Sequence, residues 1–276
     1  MCDNLIELFR CPNCGVDLSS DLNCKRCAKR YSKTEEGIYD LVFDEERLDE
    51  REMTNKLVDL IREKGLRELQ KRQQEKMTEE IKQAKQACGA ELGKRLMDVE
   101  GYVLEIATGF GGAGNLIVDE KTKPVLTDLN LDILKMKDEK ILKGEIGEDY
   151  HMVRCDAKAL PFRDRTFDHV VSLGGLSNIP NTSEVLSEMY RVLKDGGKIT
   201  ASPLFVEEGS EAAERAREFG VENGVLKENL MNILSGYEFK ELDLDVVSSA
   251  TAVDDGLNIL QIEGVKHHYS LLTAEK

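Results

Sequence analysis

The spacing of apolar residues changes near residue 101 and divides the chain into two kinds of structure. Residues 44–98 contain no proline, and residues 67–86 are almost all charged or glutamine, which is typical of solvent-exposed helix. One apolar stripe at helical spacing follows: Met77, Ile81, Ala84, Cys88, Leu92 and Leu96. The pattern predicts helices interrupted near Gly65 and Gly89.

From residue 101 onward, short apolar runs alternate with segments of helical spacing. The predicted strands are 102–107, 125–127, 151–154, 167–173, 198–202, 237–247 and 267–273. The predicted helices are 129–142, 182–193, 209–219 and 227–234. Gly196 and Gly197 are expected to end the second of these helices. Alternation of strand and helix predicts a parallel sheet covered by helices on both faces, so the fold class is α/β.

Composition narrows the classes of protein that remain. No apolar run reaches the roughly 18 residues of a membrane span. The first seven residues lack the basic start and apolar stretch of a secretory signal, so we expect a cytoplasmic protein with reduced cysteines. A formal charge of −15 excludes a protein that binds nucleic acid over its whole surface, because that surface would repel phosphate.

Four cysteines near the start form two CxxC pairs separated by nine residues. They are Cys11, Cys14, Cys24 and Cys27. Two residues between cysteines let both thiolates bind one tetrahedral ion, and Gly15 permits the positive φ of a tight knuckle. Four thiolates would complete the shell of a structural Zn²⁺; iron in the same cage and a dithiol redox pair are the alternatives. Cys2, Cys88 and Cys155 lack paired spacing and are expected to be structural thiols.

Five cations lie beside the second cysteine pair without an acid among them. They are Lys25, Arg26, Lys29, Arg30 and Lys33. They could contact phosphate, as in RNA, or an acidic partner. Equally, they could form a solvated face that offsets the charge of four thiolates around a zinc ion. Both interpretations stay open at this point.

A glycine-rich loop follows the first strand of the α/β segment and has two interpretations. Glycines 109, 111 and 114 form GxGxxG, and Asp128 follows at the distance of a ribose-binding acid, which is the pattern of NAD-binding folds. In the second interpretation an acid precedes small residues at every second position: Glu105, Ala107, Gly109 and Gly111. An acid at that point suits a ligand that carries an ammonium group.

Three further segments decide between these interpretations. Residues 125–130 (VLTDLN), 155–162 (CDAKALPF) and 188–197 (EMYRVLKDGG) follow the loop in order. Together with the loop, the chain from about 102 to 202 resembles class I S-adenosylmethionine-dependent methyltransferases of the type 11 kind. The resemblance implies a Rossmann-like sheet of seven strands and S-adenosylmethionine as cofactor.

The resemblance also implies a role for particular residues. Asp128 would bind both ribose hydroxyls, and Leu129 would lie against the adenine. Asp156 would accept from the exocyclic amine, and Ala157 would present its backbone to the ring. Leu173, at the end of the fourth strand, would face the methionine part of the cofactor. The small residues of the loop and Glu105 complete the predicted cofactor site, although the family more often has glycine where this chain has Ala107.

The acceptor of the methyl group is less well defined. Methyl transfer by direct displacement does not require a general base, and no catalytic residue is predicted. None of the four histidines is expected to serve as a base: His151, His169, His267 and His268. Asn178 and Tyr190 could face a substrate, but ordinary loop and helix roles are favoured.

Three functions stay open. Residues 175–180 and 188–197 resemble methyltransferases of quinone biosynthesis, which act on small molecules, and this is the favoured interpretation. A zinc ribbon ahead of the catalytic domain resembles bacterial guanine-N1 methyltransferases of ribosomal RNA. The third function is a catalytically silent scaffold that docks a protein partner.

We therefore predict three parts. Residues 1–43 form a zinc ribbon, residues 44–100 a helical connector, and residues 101–276 an S-adenosylmethionine-dependent methyltransferase domain. The connector and residues 209–234 are expected to form a lid over the substrate.

Overall fold

The computed structural model describes residues 5–43, 51–109, 121–142, 150–256 and 258–276. Cys2 and the loop glycines 111 and 114 lie outside the described residues. The helices are α1 Arg51–Lys64, α2 Leu66–Lys76, α3 Glu79–Leu96, α4 Leu131–Leu142, α5 Thr182–Val192, α6 Glu211–Glu218, α7 Glu222–Val225 and α8 Lys227–Leu234, with a 3₁₀ turn at Leu5–Leu8. The strands are β1 Ser32–Lys33, β2 Tyr39–Asp40, β3 Gly101–Glu105, β4 Thr122–Asp128, β5 His151–Arg154, β6 Phe167–Leu173, β7 Leu193–Ser202, β8 Leu204–Val206, β9 Glu241–Thr251 and β10 Lys266–Glu275.

All described strands join one mixed sheet in the order β1-β2-β5-β4-β3-β6-β7-β10-β8, with β9 paired to β10. Strands β2, β5, β4, β3, β6 and β7 run parallel, and β10 runs antiparallel to β7, β8 and β9. The strands β5-β4-β3-β6-β7-β10-β9 form the predicted seven-stranded Rossmann-like sheet, so the predicted α/β fold is confirmed. The sheet is mixed and not purely parallel as predicted, because β10 follows β9 through an antiparallel connection whose described residues form no helix. The short strand β8 and two strands from the N-terminal segment extend that sheet.

Residues 5–43, which we call the N-terminal module, pack directly on the sheet. Strand β2 of the module pairs in parallel with β5. Phe9 and Cys11 belong to the same buried cluster as Val153 and Phe162 of the α/β segment. The module is therefore continuous with the main core.

Of the two breaks predicted in the connector helices, the one near Gly65 is present and the one near Gly89 is not. A break occurs at Gly65, whose φ is +81°. Helix α3 instead runs straight through Gly89, and the second break lies at Thr78, whose Oγ1 accepts a hydrogen bond from the Ile81 N–H at 3.3 Å. This N-cap, followed by two glutamates, begins α3. The stripe formed by Cys88, Leu92 and Leu96 then packs on the sheet, which compensates for the weak helix propensity of glycine.

The glycine pair near the fifth helix also has a different role from the predicted one. Helix α5 ends at Val192, and Gly196 and Gly197 lie within β7. A Cβ on Gly197 would lie 2.9 Å from Leu193 Cδ1 and 3.0 Å from the Asp168 carbonyl oxygen. This glycine is therefore required for close approach between strands.

The sheet is buried on both faces. Val103 of β3 packs with Leu126 and the α3 stripe on one face, whereas Leu104 packs with α5 and the N-terminal module on the other. Both faces are apolar because helices cover a parallel sheet on each side. Within the described part of the chain, no helix is long and apolar enough to cross a membrane.

Two Gly→Ala substitutions should have opposite effects on stability. A Cβ on Gly224 would collide with the Leu176 carbonyl, so Gly224→Ala should lower the free energy of unfolding by about 1–3 kcal/mol. At Gly89 no described atom outside the backbone of its own helix lies within 4 Å of the added Cβ, so Gly89→Ala should raise the free energy of unfolding by about 0.5–1 kcal/mol. Urea denaturation of both variants checks this packing, and a stable Gly224→Ala protein would contradict it.

Candidate cofactor site and metal centre

The predicted cofactor residues lie at one edge of the sheet. Glu105 ends β3, Asp128 ends β4 and Leu173 ends β6, while Asp156 comes two residues after β5. Because these strands are parallel, their carboxyl ends meet at the same edge, where ligands of open α/β sheets bind. The described part of the glycine loop leaves the sheet at this edge as well.

Asp128 links the glycine loop to the end of β4. Its Oδ2 accepts a hydrogen bond from the Gly109 N–H at 3.0 Å, and its Oδ1 accepts one from the Asn130 N–H at 2.9 Å. The residue is 8% exposed, and burial raises the pKa of its carboxyl, against the opposing effect of these N–H groups. A carboxylate has about four lone-pair positions. Each oxygen can therefore accept a second hydrogen bond from a diol.

Glu105 is fully buried and is surrounded by donors from the chain itself. Its Oε2 accepts from Thr108 Oγ1 at 2.7 Å and lies 3.9 Å from the Lys137 ammonium. Lys137, from α4, also contacts Thr108 Oγ1 and has no exposed side-chain surface. The sequence predicted that Glu105 faces the ammonium group of a ligand. In the structure the ammonium group beside Glu105 is that of Lys137.

Sequence reasoning missed Lys137, although a signal for it exists. Lys137 follows Ile133 by four residues and Leu134 by three, so it occupies a position on the buried face of α4. A lysine at an apolar position of an amphipathic helix indicates a buried acidic partner.

The loop between β3 and β4 approaches its neighbours closely. Ala107 has a φ of +52° and Gly109 a φ of +51°. The positive φ at Ala107 costs about 1–2 kcal/mol relative to glycine. This cost explains why the methyltransferases that the sequence resembles more often have glycine at this position. A Cβ on Gly175 would lie 2.8 Å from the Ala107 Cβ, so residue 175, in the loop after β6, must be glycine for the two loops to pack this closely.

The segment after β5 is held by its own backbone. Asp156 Oδ1 accepts from the Lys158 N–H at 2.8 Å, and its carbonyl accepts from the Ala159 N–H at 3.0 Å. Burial, together with Glu184 and Glu188, raises the pKa of the Asp156 carboxyl. Ala157 packs against the main core. On the neighbouring strand end, the Leu129 carbonyl accepts from Arg154 Nε at 3.1 Å.

Parts of the segments predicted to form a lid contact this same edge, whereas helix α3 of the connector packs on a face of the sheet. Arg62 of α1 forms a 2.8 Å ion pair with Asp132, at the start of α4. Gln73 of α2 donates to Asp255, just beyond the end of β9, at 2.9 Å. On the other side, Ser177 in the loop after β6 donates to the Gly224 carbonyl of α7 at 3.4 Å.

The other polar residues considered in the sequence have structural partners. His169 is buried, its Nε2 lies 2.9 Å from Thr200 Oγ1, and burial lowers its pKa to about 4. His267 Nε2 lies 3.0 Å from the Leu260 carbonyl, and His268 Nδ1 lies 2.8 Å from Ser249 Oγ. Tyr190 packs against Tyr237 and Phe239, and Asn178 donates to the Gly174 carbonyl at 2.8 Å. Those placements match the ordinary roles that were favoured.

The N-terminal module brings four thiols together: Cys11, Cys14, Cys24 and Cys27, whose Sγ atoms lie within 4.8 Å of one another. The Cys11–Cys27 distance is 3.7 Å, and the Cys14–Cys24 distance is 3.2 Å. A tetrahedral zinc site with Zn–S bonds of about 2.3 Å has sulfur atoms about 3.8 Å apart. The Cys11–Cys27 distance matches this value and the Cys14–Cys24 distance is shorter, and four converging thiols are a donor set suited to zinc.

The two CxxC turns have the same backbone geometry. Gly15 and Ala28, which follow the second cysteine of each pair, have φ values of +70° and +58°. Their N–H groups donate to the carbonyls of Cys11 and Cys24, each at 2.9 Å. The predicted positive φ at Gly15 is present, and Ala28 repeats it in the second turn.

Tyr31 is a residue of this cluster that sequence reasoning missed. Its hydroxyl lies 3.2 Å from Cys11 Sγ, and the ring is buried. A hydroxyl that donates to a coordinating sulfur stabilises the thiolate and fixes its orientation. No spacing rule relates a tyrosine to a CxxC pair, so the sequence carried no signal for it.

Four of the five cations beside the cysteines have partners within the module. Lys33 lies 4.3 Å from the Tyr39 ring centroid, and Lys29 lies 5.6 Å from that of Phe43. Arg30 donates to Asn23 at 2.9 Å, and Arg26 donates to the Cys14 carbonyl at 3.5 Å. These contacts favour the interpretation of a charged face that belongs to the module itself.

Comparisons with known proteins agree with this geometry. Residues 70–207, half of the chain, match the ubiE/COQ5 methyltransferase family. The ubiquinone/menaquinone biosynthesis C-methyltransferase UbiE of Cronobacter sakazakii is 35% identical over 111 residues, which is 40% of this chain and 43% of the relative. The match thus spans less than half the length of that relative.

Solved structures share the fold. A methyltransferase-like protein from Bacillus halodurans C-125 superposes with a TM-score of 0.55 at 22% identity, covering 68% of this chain and 97% of its own. The geranyl diphosphate C-methyltransferase of Streptomyces coelicolor A3(2) gives 0.54 at 12% identity, covering 69% and 79%. With the family match over half its length, the chain belongs to the ubiE/COQ5 methyltransferase family.

Proposed function

We propose that this protein transfers the methyl group of S-adenosylmethionine to a small-molecule acceptor. The observation that carries the proposal is the meeting of Asp128, Asp156 and the glycine loop at the carboxyl edge of the parallel sheet. When bound, S-adenosylmethionine supplies an electrophilic methyl group on a sulfonium. The chain's own task is to bind the two partners in line and to exclude water.

The residues proposed to hold the cofactor are those of the edge: Glu105, Ala107, Gly109, Asp128, Leu129, Asp156, Ala157 and Leu173. Gly111 belongs to the same proposed set. Asp128 would accept from the ribose hydroxyls with its second lone pairs, and Asp156 from the adenine amine. Lys137 neutralises Glu105 and holds Thr108, so the described start of the loop is fixed by the chain itself.

A small-molecule acceptor is supported by charge and by the relatives. Residues 101–276 contain 19 Lys or Arg and 31 Asp or Glu, which does not suit a long polyanion. The relatives are named for C-methylation in ubiquinone/menaquinone biosynthesis and of geranyl diphosphate. We propose that helices α1 and α2, with residues 209–234, form a lid over the acceptor, because both contact the edge where the cofactor would lie.

We further propose that the N-terminal module is a zinc ribbon and that residues 101–276 form the methyltransferase domain. The four converging thiols support a structural role for the metal. A zinc ion with four thiolates has no open position for water, so the metal would stabilise the module and take no part in methyl transfer.

Transfer of a radiolabelled methyl group tests the proposed function. Incubation of the protein with labelled S-adenosylmethionine and fractions of the source cell should label the small-molecule extract and leave total RNA unlabelled. The Asp128→Ala protein serves as the blank. Label in RNA would contradict a small-molecule acceptor, and label in neither fraction with cofactor binding intact would contradict catalysis.

Substitution of Asp128 tests the cofactor site independently of the acceptor. Asp128→Ala should weaken binding of S-adenosylhomocysteine by about 100-fold or more, because two hydrogen bonds to a charged group are worth about 1.5 kcal/mol each or more. Isothermal titration calorimetry measures the affinity. Asp195→Ala, which removes an exposed partner of Arg165, is the matched control and should bind normally. Undiminished affinity in a folded Asp128→Ala protein would refute the site.

Metal analysis tests the proposed zinc centre. The purified protein should contain about one zinc ion per chain, and Cys24→Ser should lose it, because one missing thiolate opens the coordination shell. Cys88→Ser changes a buried thiol of α3 outside the cluster and should keep the metal. Absence of stoichiometric metal, with a circular dichroism spectrum that chelation does not alter, would contradict this centre.

A further inference from the structure

The N-terminal module holds the part of the molecule on which the proposed adenosine site is built. Its strand β2 pairs with β5 so that Tyr39 lies opposite Val153 and Asp40 lies opposite Arg154. The Leu41 N–H donates to the Arg154 carbonyl at 2.9 Å, which extends the pairing to the last residue of β5. The module thus reaches the carboxyl edge of the sheet.

Arg154 connects the module to the end of β4. Its Nη1 donates to Asp40 Oδ2 at 2.9 Å, and its Nε donates to the Leu129 carbonyl at 3.1 Å. The side chain is 9% exposed, and both contacts help to orient it. The Cys155 N–H adds a bond to the Asp128 carbonyl at 3.1 Å. Asp40 therefore helps to orient an arginine that holds the Leu129 carbonyl, next to the Asp128 carbonyl that the Cys155 N–H holds.

A second contact holds the loop after β5. The Arg10 N–H donates to the Pro161 carbonyl at 3.0 Å, and the Arg163 N–H donates to the Leu8 carbonyl at 2.9 Å. The rings of Phe9 and Phe162 lie 5.7 Å apart between these two bonds. This loop contains the proposed adenine-binding residues Asp156 and Ala157, and Arg10 directly precedes the first cysteine of the cluster.

A third contact reaches the helix that follows Leu129. Glu36 of the module forms a 2.8 Å ion pair with Lys135 of α4. The Lys135 ammonium is the largest cause that lowers the pKa of Glu36, to about 2, so the acid stays ionised at neutral pH. The module therefore touches three segments around one side of the proposed cofactor site, and all three would surround the adenosine half.

We propose that the N-terminal module positions the adenosine side of the cofactor site, that Asp40 is a positioning residue acting through Arg154, and that metal binding and cofactor binding strengthen each other. This proposal rests on the proposed function, because it requires the site to bind S-adenosylmethionine or its product. The physical cause is preorganisation. A β4 end and a β5 loop that are already ordered lose less conformational freedom when the ligand binds.

The coupling must be reciprocal. If the folded, metal-loaded module raises the affinity for the cofactor by some factor, the cofactor raises the affinity of the module for its metal by the same factor. A module that only covered the edge of the sheet, without ordering the strand ends, would give no such linkage.

Calorimetry on Asp40→Ala tests the proposal. The variant should bind S-adenosylhomocysteine about 5- to 10-fold more weakly with unchanged stoichiometry, since Arg154 loses the hydrogen bond and ion pair to the Asp40 carboxylate. Methylthioadenosine, which contains only the adenosine half, should lose affinity by the same factor. Asp21→Ala is the control, because the hydrogen bonds of Asp21 to Ser19 and Asn23 lie within the module, and this variant should bind as the unaltered protein does.

Each outcome decides the matter. If Asp40→Ala fails to fold, Asp40→Asn keeps the shape of the side chain and should show a smaller loss of affinity in the same direction. Equal affinity in the unaltered protein and in a folded Asp40 variant would overturn the coupling but leave the proposed function intact. If the unaltered protein did not bind S-adenosylhomocysteine, both would be overturned.

The reciprocal measurement uses the metal as its readout. Competition with a chromogenic zinc chelator should show tighter zinc binding when S-adenosylhomocysteine is present, and a smaller gain in Asp40→Ala. Zinc affinity that does not respond to saturating S-adenosylhomocysteine in the unaltered protein would overturn the link between the two sites.

Discussion

The parallel register of β3 between β4 and β6 is the constraint on which the rest of the structure depends. Val103 and Leu104 point to opposite faces and are both buried, so β3 cannot shift by one residue without exchanging its two cores. Two hydrogen bonds then fix the point where the chain leaves the sheet: Thr127 Oγ1 donates to the Glu105 carbonyl at 2.7 Å, and the Thr108 N–H donates to the Thr127 carbonyl at 2.9 Å. The glycine loop begins from this fixed point.

A site at this edge of the sheet contains charged side chains that are buried away from water, so each charge needs a partner. Glu105 and Lys137 are both fully buried, and each would be costly to bury alone. Together with Thr108 they form a group of compensated charges that holds the chain where it leaves β3. Two backbone N–H groups likewise compensate the charge of the Asp128 carboxylate by donating hydrogen bonds to it. The polar groups are therefore oriented before a ligand arrives, which reduces the entropy lost on binding.

The sequence predicted those features that depend on local spacing. The strands, the CxxC turns and the acids at strand ends follow from short patterns, and Asp128 follows the loop glycine that it binds by 19 residues. It did not predict partners that only the topology brings together. Arg154 and Asp40 are 114 residues apart, and nothing in either short strand indicates the other. Gly89 was misjudged for a related reason, because packing of the α3 stripe on the sheet outweighs a weak local propensity.

Covering an exposed strand and positioning a ligand make different demands on the N-terminal module. Without β2, strand β5 would end the sheet and leave unpaired backbone groups, which is a risk for aggregation. Backbone pairing by Tyr39 and Asp40 is enough to cover the edge of β5. An apolar side chain at residue 154 would bury that edge further without removing a charge from water. Arg154 instead directs one nitrogen at Asp40 and another at the Leu129 carbonyl. Since a partly buried ion pair is weak evidence for stabilisation, the Arg154–Asp40 pair is better explained by the orientation it imposes on the end of β4.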